Sequence, residues 1–298
     1  MNNFKNDYIF LILAAALSGF VVFGGKALSN TGLSLFEISL LPLAVILLVM
    51  IPFSFFSEQL QIRKKFLAVF ILYGLVEAVI TICQFGSVIL GTPVSIALLL
   101  LYTQPLWTVI LSHIFLKEKI HLFDIFACLL VIIGIIFLIG PWQVNDIGSL
   151  LGIVIALIGG IGLSLWVVIG SYASKKNNSP INTYIVSHLF MAIFLVVFFL
   201  IAKNIVVEPT LMNFSFHWPF KIWLSIAFFG LVAVLFNNVF YLKAVRTVPT
   251  VSAGIVMLLE PVVGTILAAI FFHQPITFSI IIGGVFILIA NYLIITKK

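Results

Sequence analysis

The chain has 298 residues, of which 63% are hydrophobic and 8% are Asp, Glu, Lys or Arg, with a net charge of +6. No soluble core takes up that much apolar surface, so the composition excludes a water-soluble domain and makes lipid the solvent. The positive charge could signal a polyanion, but in a membrane chain its distribution over the loops is the informative quantity, and no nucleic-acid partner is expected. Cys83 and Cys128 sit in apolar runs and supply neither a disulfide framework nor metal-ligand spacing.

A helix needs about 20 mostly apolar residues to cross a hydrocarbon core about 30 Å thick. Ten runs qualify, at about 7–28, 33–56, 66–90, 93–115, 122–141, 147–172, 180–202, 219–243, 250–272 and 276–296. Lys5 and the run after it have the look of a signal peptide, but the run extends to about Leu28 and counts as the first span. Helices are expected throughout, because lipid-facing strands would need a closed barrel and alternating polarity. The links are short and carry breakers: Asn30-Thr31-Gly32, Gly91-Thr92-Pro93, Asn177-Asn178-Ser179-Pro180 and Val248-Pro249. One longer loop, 203–218, holds Glu208-Pro209 and His217-Trp218-Pro219 and is expected to cap the membrane surface. Trp142, Trp218 and Trp223 read as interfacial anchors.

One stretch occurs twice. Pro93 to Ile120 and Pro249 to Ile276 align at an offset of 249 − 93 = 156, which pairs Pro105 with Pro261 and Gln104 with Glu260. Upstream, Gly74-Leu75-Val76 meets Gly230-Leu231-Val232 at the same offset. Self-similarity at a fixed period is an architectural signal. It divides the chain into 1–141, spans one to five, and 142–298, spans six to ten.

Charge orients the spans. With both termini cytoplasmic, the inner segments carry Lys5, Arg63, Lys64, Lys65, Lys117, Lys119, Lys175, Lys176, Lys243, Arg246, Lys297 and Lys298, which is 12 of the 15 basic residues. Lys26, Lys203 and Lys221 remain outside. Cytoplasmic loops of membrane proteins are enriched in Lys and Arg in this way. Five spans per repeat is odd, so the halves insert in opposite senses. Lys117-Glu118-Lys119 faces the uncharged counterpart His273-Gln274-Pro275, as inversion requires. The expected fold is therefore all-α, ten transmembrane helices in two inverted five-helix repeats, with a solute site near mid-depth between the halves and alternating access.

With these features the chain resembles the drug/metabolite transporter superfamily, specifically its EamA-type branch. The resemblance rests on ten spans, the two repeats, Pro105 and Glu260-Pro261 in the fourth span of each half, and the Gly-rich first spans around Gly24-Gly25 and Gly159-Gly160. The chain departs from the pattern in Gln104, where an acidic residue is expected, and in Ser18, where such proteins often have Trp. The resemblance implies a transporter of small organic solutes. Many members are similar to exporters of amino acids or metabolites, and others take up amines or nucleotide-like solutes.

Ionisable groups at mid-bilayer mark pathways. Glu77, Thr81 and Gln84 fall at i, i+4 and i+7 of the third span, a polar stripe expected to face a cavity. Glu77 then binds a substrate ammonium, takes up a coupling proton, or bonds structurally to a neighbouring helix. Asn237 and Asn238 offer amides from the opposite half. Tyr102, Trp166 and Tyr241 place polar-tipped rings at depth that can line a pocket and hold a cation. Pro105 and Pro261 remove the donors that would reach the carbonyls of Leu101 and Met257, creating hinges whose backbone Gln104 and Glu260 are expected to satisfy. His188 is either a relay or a satisfied bundle histidine. Lys26 and Glu37 either pair or snorkel, and Asp124 lies near enough the inner surface to need no special role.

These expectations converge on a multi-pass inner-membrane secondary transporter. Its substrate is a small organic metabolite, best an amino acid or amine because Glu77 lies on the polar stripe and no basic cluster lies at depth. Export is preferred from the resemblance. The alternatives are an importer of a cationic or nucleoside-like metabolite and, in a different class, an intramembrane enzyme. The enzyme would need a nucleophile with its base, or a metal set such as H-E-x-x-H, and neither is found. No catalytic residue, metal or cofactor is expected. The partners are the solute, the bilayer and a coupling proton.

Overall fold

The computed structural model describes residues 2–56, 63–90, 92, 94–143, 149–204, 212–273 and 275–296. Gly91, Pro93, Gln274, the Glu208-Pro209 pair and the terminal Lys297 and Lys298 lie outside the described residues. The described elements are helical. Spans one to three are α1 (Asn2–Ser29), α2 (Leu35–Phe56) and α3 (Leu67–Ile89), the last led by a 3-10 turn at Lys64–Phe66. The fourth is broken into α4 (Val94–Leu101) and α5 (Gln104–Leu116), and the fifth to seventh are α6 (Leu122–Ile139), α7 (Leu150–Lys175) and α8 (Pro180–Ala202). The eighth is α9 (Phe220–Phe228), a π-helical segment Phe229–Leu235, and α10 (Phe236–Ala244). The ninth is broken into α11 (Thr250–Met257) and α12 (Glu260–Phe272), and the tenth is α13 (Phe278–Thr296). Among the described residues ten candidate spans result, at the expected places.

The repeat is visible in backbone detail. Both breaks fall just before the in-register prolines, Pro105 and Pro261, because each proline lacks the N–H of the next helical bond and crowds the preceding turn. Thr103 N–H reaches Leu100 O at 3.2 Å and Leu259 N–H reaches Val256 O at 3.0 Å, so each break tightens into a short turn. Both helices then end on a left-handed residue, Lys117 at φ 56° and His273 at φ 54°, again 273 − 117 = 156 apart. Asp124 departs from expectation: it accepts from the His121 backbone N–H at 3.2 Å and caps the start of α6.

The halves exchange partners. α3 packs against α7 and α8, and its counterpart, the π segment with α10, packs against α1, with the π segment and α9 against α2. α4 and α5 pack on α7, and α11 and α12 pack on α1. α6 pairs with α13. Every one of these contacts recurs with the halves swapped, as a two-fold relation between inverted repeats demands.

Close crossings carry this arrangement. A Cβ on Gly74 would stand 2.2 Å from Ser187 O in α8, and one on its counterpart Gly230 would stand 2.9 Å from Pro42 O in α2. Gly134 and Gly283 face each other, a Cβ on Gly283 reaching within 2.4 Å of Gly134 O. In lipid, helices gain little from apolar burial and depend on such tight packing. Gly74→Ala is therefore expected to lower stability by about 1–3 kcal/mol through overpacking against backbone that cannot yield. Gly25→Ala, where a Cβ would meet nothing within 4 Å, is the control and should not lower it; thermal unfolding of the detergent-purified protein reads both.

Candidate functional site

Two carboxylates lie at mid-span, and each is surrounded by donors from other spans. Glu260 begins α12 immediately after the ninth-span break and is half-buried. It accepts from Ser18 Oγ of α1 and, at 3.2 Å, from Tyr102 OH at the fourth-span break. The two helix breaks therefore meet across the halves through one carboxylate. Gln104 does not take part. Its Nε2 donates to Thr108 Oγ1 at 3.0 Å, and a Cβ on Gly254 would lie 3.0 Å from the same nitrogen. The expectation that Gln104 and Glu260 satisfy the broken backbone is thus corrected for both: the breaks close by their own short turns, which frees the side chains for longer-range bonds.

The second centre is Glu77, only 7% exposed. Trp166 Nε1 of α7 donates to its Oε1 at 2.8 Å, and His188 Nδ1 of α8 stands 3.5 Å from its Oε2. His188 Nδ1 also lies 3.0 Å from Tyr184 O. A carbonyl only accepts, so that nitrogen carries the proton. The rings close in from several spans. Trp166 stacks on Tyr241 at 4.3 Å and on Tyr73 at 6.2 Å, and Tyr184 stacks on His188 at 3.7 Å. Tyr241 OH donates to Val167 O at 2.8 Å, which fixes this ring, whereas the buried hydroxyls of Tyr73 and Tyr184 have no hydrogen-bond partner.

The remaining expected residues are more local. Thr81 Oγ1 donates back to Glu77 O at 3.0 Å, and Thr81 and Gln84 are half-buried along the same helix. Asn238 Nδ2 donates to Val234 O at 3.1 Å, satisfying a carbonyl inside the π segment, while the Oδ1 of buried Asn237 is unpartnered. The sequence reading did not single out Tyr73 or Tyr184, and noted Ser18 only as a departure from the family pattern. The i, i+4 spacing of Tyr184 and His188 was the available signal for one of them.

Among the described residues Glu37 pairs with no lysine. It is 1% exposed and accepts from Ser34 N–H at 2.7 Å, Ser215 N–H at 2.8 Å and Trp218 Nε1 at 3.0 Å, so it clasps the 212–218 part of the long loop onto the start of α2. Trp218 thus takes part in the clasp through its indole N–H. Lys26 is exposed. A shallow cleft at this clasp, lined by Gly32, Phe214 and His217 among others, lies away from both carboxylates. Among the described residues no group of His, Cys, Asp and Glu could hold a metal ion.

The sequence profile of the EamA-like transporter family matches residues 6–140 and, a second time, 150–296. The chain belongs to the EamA-like transporter family. Similar proteins include an uncharacterized transporter of Clostridium kluyveri, 26% identical across 96% of this chain and 92% of the relative. Another is the uncharacterized transporter YoaV of Bacillus subtilis, 24% identical across 86% and 83%. A solved crystal structure shares the fold at a TM-score of 0.73, 17% identical, over 97% of this chain and 95% of that one. Family and relatives alike indicate a multi-pass membrane transporter and not an enzyme.

In this EamA-like transporter polar contacts draw several spans together at one end of the bundle. Glu118 pairs with Lys175 and accepts from Thr250 N–H at 3.0 Å and Thr250 Oγ1 at 2.6 Å. This latch joins the fourth, sixth and ninth spans, and the carboxylate sits at the positive N-terminus of α11. Thr247–Asp7, Arg246–Asn178 O and Arg63–Lys176 O bonds at 2.6, 2.7 and 3.2 Å gather the same end. Gln274, the repeat counterpart of Glu118, carries no charge, so the same ion pair cannot form at the opposite end. Glu118→Ala is expected to cost about 1.5–3 kcal/mol, because it strips charge-assisted bonds from a helix terminus. Lys175→Ala should cost less, about 0.2–1 kcal/mol for a partly exposed pair. A double-mutant cycle on thermal stability checks the ordering.

Proposed function

We propose that this transporter moves a small organic solute bearing an ammonium group, an amino acid or amine, across the cytoplasmic membrane by alternating access. The observation that carries the reading is electrostatic. Glu77 and Glu260 are both at mid-span, both contact neutral donors or a histidine, and no Lys or Arg occupies the middle of a span. A charge at the bilayer centre costs about 2.5–3.5 kcal/mol on insertion scales and is retained where it meets a counter-charge or a pathway. An anionic or phosphorylated solute would find no partner at that depth. Tyr102, which donates to Glu260, adds a ring suited to a cation. Asn237 and Asn238 supply amide groups from the second half, and Thr81 and Gln84 extend the polar stripe below Glu77.

The repeats supply the motion. The breaks before Pro105 and Pro261 act as hinges, and the Glu118–Lys175–Thr250 latch holds the basic end closed in the state described above. With the basic loops cytoplasmic, this is a state closed toward the cytoplasm, and export follows when the latch reforms after a solute has entered from inside. The division at 141/142 then separates the two units that rock against each other.

A thermal-shift screen of the detergent-purified protein against amines, amino acids, nucleosides and sugars tests the substrate class. A ligand that binds the native state stabilises it by RT ln(1 + [L]/Kd), about 2.7 kcal/mol at a hundredfold excess over Kd. Amines or zwitterionic amino acids are expected to raise the melting temperature, and the double variant Glu77→Gln/Glu260→Gln should lose that shift. If stabilisation comes from nucleosides or sugars alone, the ammonium class is rejected.

A further inference from the structure

The two carboxylates differ in what can reach them. Glu77 is 7% exposed and enclosed by the rings of Tyr73, Trp166, Tyr184 and His188, with stacking distances of 6.2 Å and 3.7 Å within that shell. The carboxylate Oε2 is buried, so it offers no surface to a solute, whereas a proton needs none. This Oε2 has no hydrogen bond, and the N–H-bearing Nδ1 of His188 stands 3.5 Å from it. Glu260 is half-buried and stands where two helices are interrupted, with unused carbonyl capacity left by each proline. Its partners, Ser18 and Tyr102, are neutral donors, so nothing there neutralises an ionised carboxylate.

We propose that the two carboxylates divide the work: Glu260, with Tyr102 and Ser18, receives the solute's ammonium, and Glu77, with Trp166 and His188, holds the coupling proton. The inference rests on the ammonium reading above for its first half and is independent of it for its second. Proton binding converts the Glu77 carboxylate to a carboxylic acid, and release returns it; the proton comes from and goes to water, and nothing else is consumed.

The groups facing Glu77 are few. Tyr73 is on its own helix, Tyr184 and His188 come from α8, Tyr241 lies behind Trp166 from α10, and α7 presents Trp166. Lys175 of α7 and Lys243 of α10 sit at the helix ends. His188 is therefore the facing imidazole, and it presents an N–H, not a proton acceptor, to the carboxylate. α7 links the two centres mechanically. Gly160 lies six residues before Trp166, about 9 Å along the helix. A Cβ there would stand 2.6 Å from Leu100 O and 3.0 Å from Thr103 Oγ1, so α7 rests directly on the break that orients Tyr102. A shift of α7 when Trp166 loses its carboxylate partner is passed to the solute centre.

The test uses the purified full chain with phenethylammonium as probe and 2-phenylethanol as its uncharged control, together with infrared difference spectra of the protonated carboxyl C=O stretch during a pH titration. Glu260→Gln is expected to weaken phenethylammonium binding roughly ten- to hundredfold at every pH, the size of a lost charge-assisted bond. Glu77→Gln should keep the binding but lose its pH dependence, and should lack the one carboxyl band component, shared by wild type and Glu260→Gln, whose midpoint matches the pH dependence of binding. Trp166→Phe, which keeps a ring and removes the donor, should retain that band with a displaced midpoint, and it stands in if Glu77→Gln fails to fold. The division is overturned if Glu77→Gln abolishes ammonium binding while Glu260→Gln keeps it, or if the titrating band persists in Glu77→Gln, or if Trp166→Phe leaves its midpoint in place. Should phenethylammonium and the other amines fail to bind wild type, the ammonium reading falls. The infrared arm then decides the proton site alone: loss of the band in Glu77→Gln supports it and persistence overturns it.

Discussion

A carboxylate inside a bilayer cannot draw its hydrogen bonds from water, and the core of this protein is arranged around that constraint twice. Glu77 collects an indole N–H and an imidazole from two helices of the opposite half. Glu260 collects two hydroxyls, one from the first span and one from the fourth. Each therefore ties the repeats together at the depth where a helical bundle in lipid has the fewest other directional contacts. A polar group that must be satisfied from across an interface also reports on that interface, since any rocking of the halves changes its partners.

The glycine crossings and the carboxylates act on the same surfaces. Gly74 lies three residues before Glu77 and lets α3 press on α8 at Ser187, next to His188. Without that approach the imidazole would stand farther from the carboxylate. In the second half the counterpart region departs from the repeat: Gly230 lies in a π segment rather than a regular turn. Asn238 closes part of the resulting backbone with its own amide. π segments are single-turn irregularities that recur at functional sites. Here one falls where the first half carries Glu77, so the symmetry of the fold is broken at the position where its chemistry is placed.

Much of the architecture was legible in the sequence because it depends on local rules. Span length and the two in-register prolines each follow from what a residue does to its own helix, and they recovered ten spans and both breaks among the described residues. The failures came where a side chain's partner is remote in the chain. His188 has no carboxylate at ligand spacing, yet it sits beside Glu77; Glu37 faced a plausible lysine, yet it binds the backbone of a distant loop. Gln104 and Glu260 are equivalent by repeat but differ in use, since one bonds within its own turn and the other spans the halves. The π segment had no signal in hydrophobic pattern, because an extra residue in one turn changes which face follows, not how apolar the run is.

The exchanged packing of the halves bears on the order in which the molecule can be made. α1 finds its main neighbours in α10, α11 and α12, and these are synthesised after two thirds of the chain has already entered the membrane. Until they arrive, Ser18 has no carboxylate to meet and the small face around Gly19 lies against lipid or against a protein that shields it. Insertion of each helix and assembly of the bundle are thus separate events for this chain. A span made before most of the others is among the last to be seated.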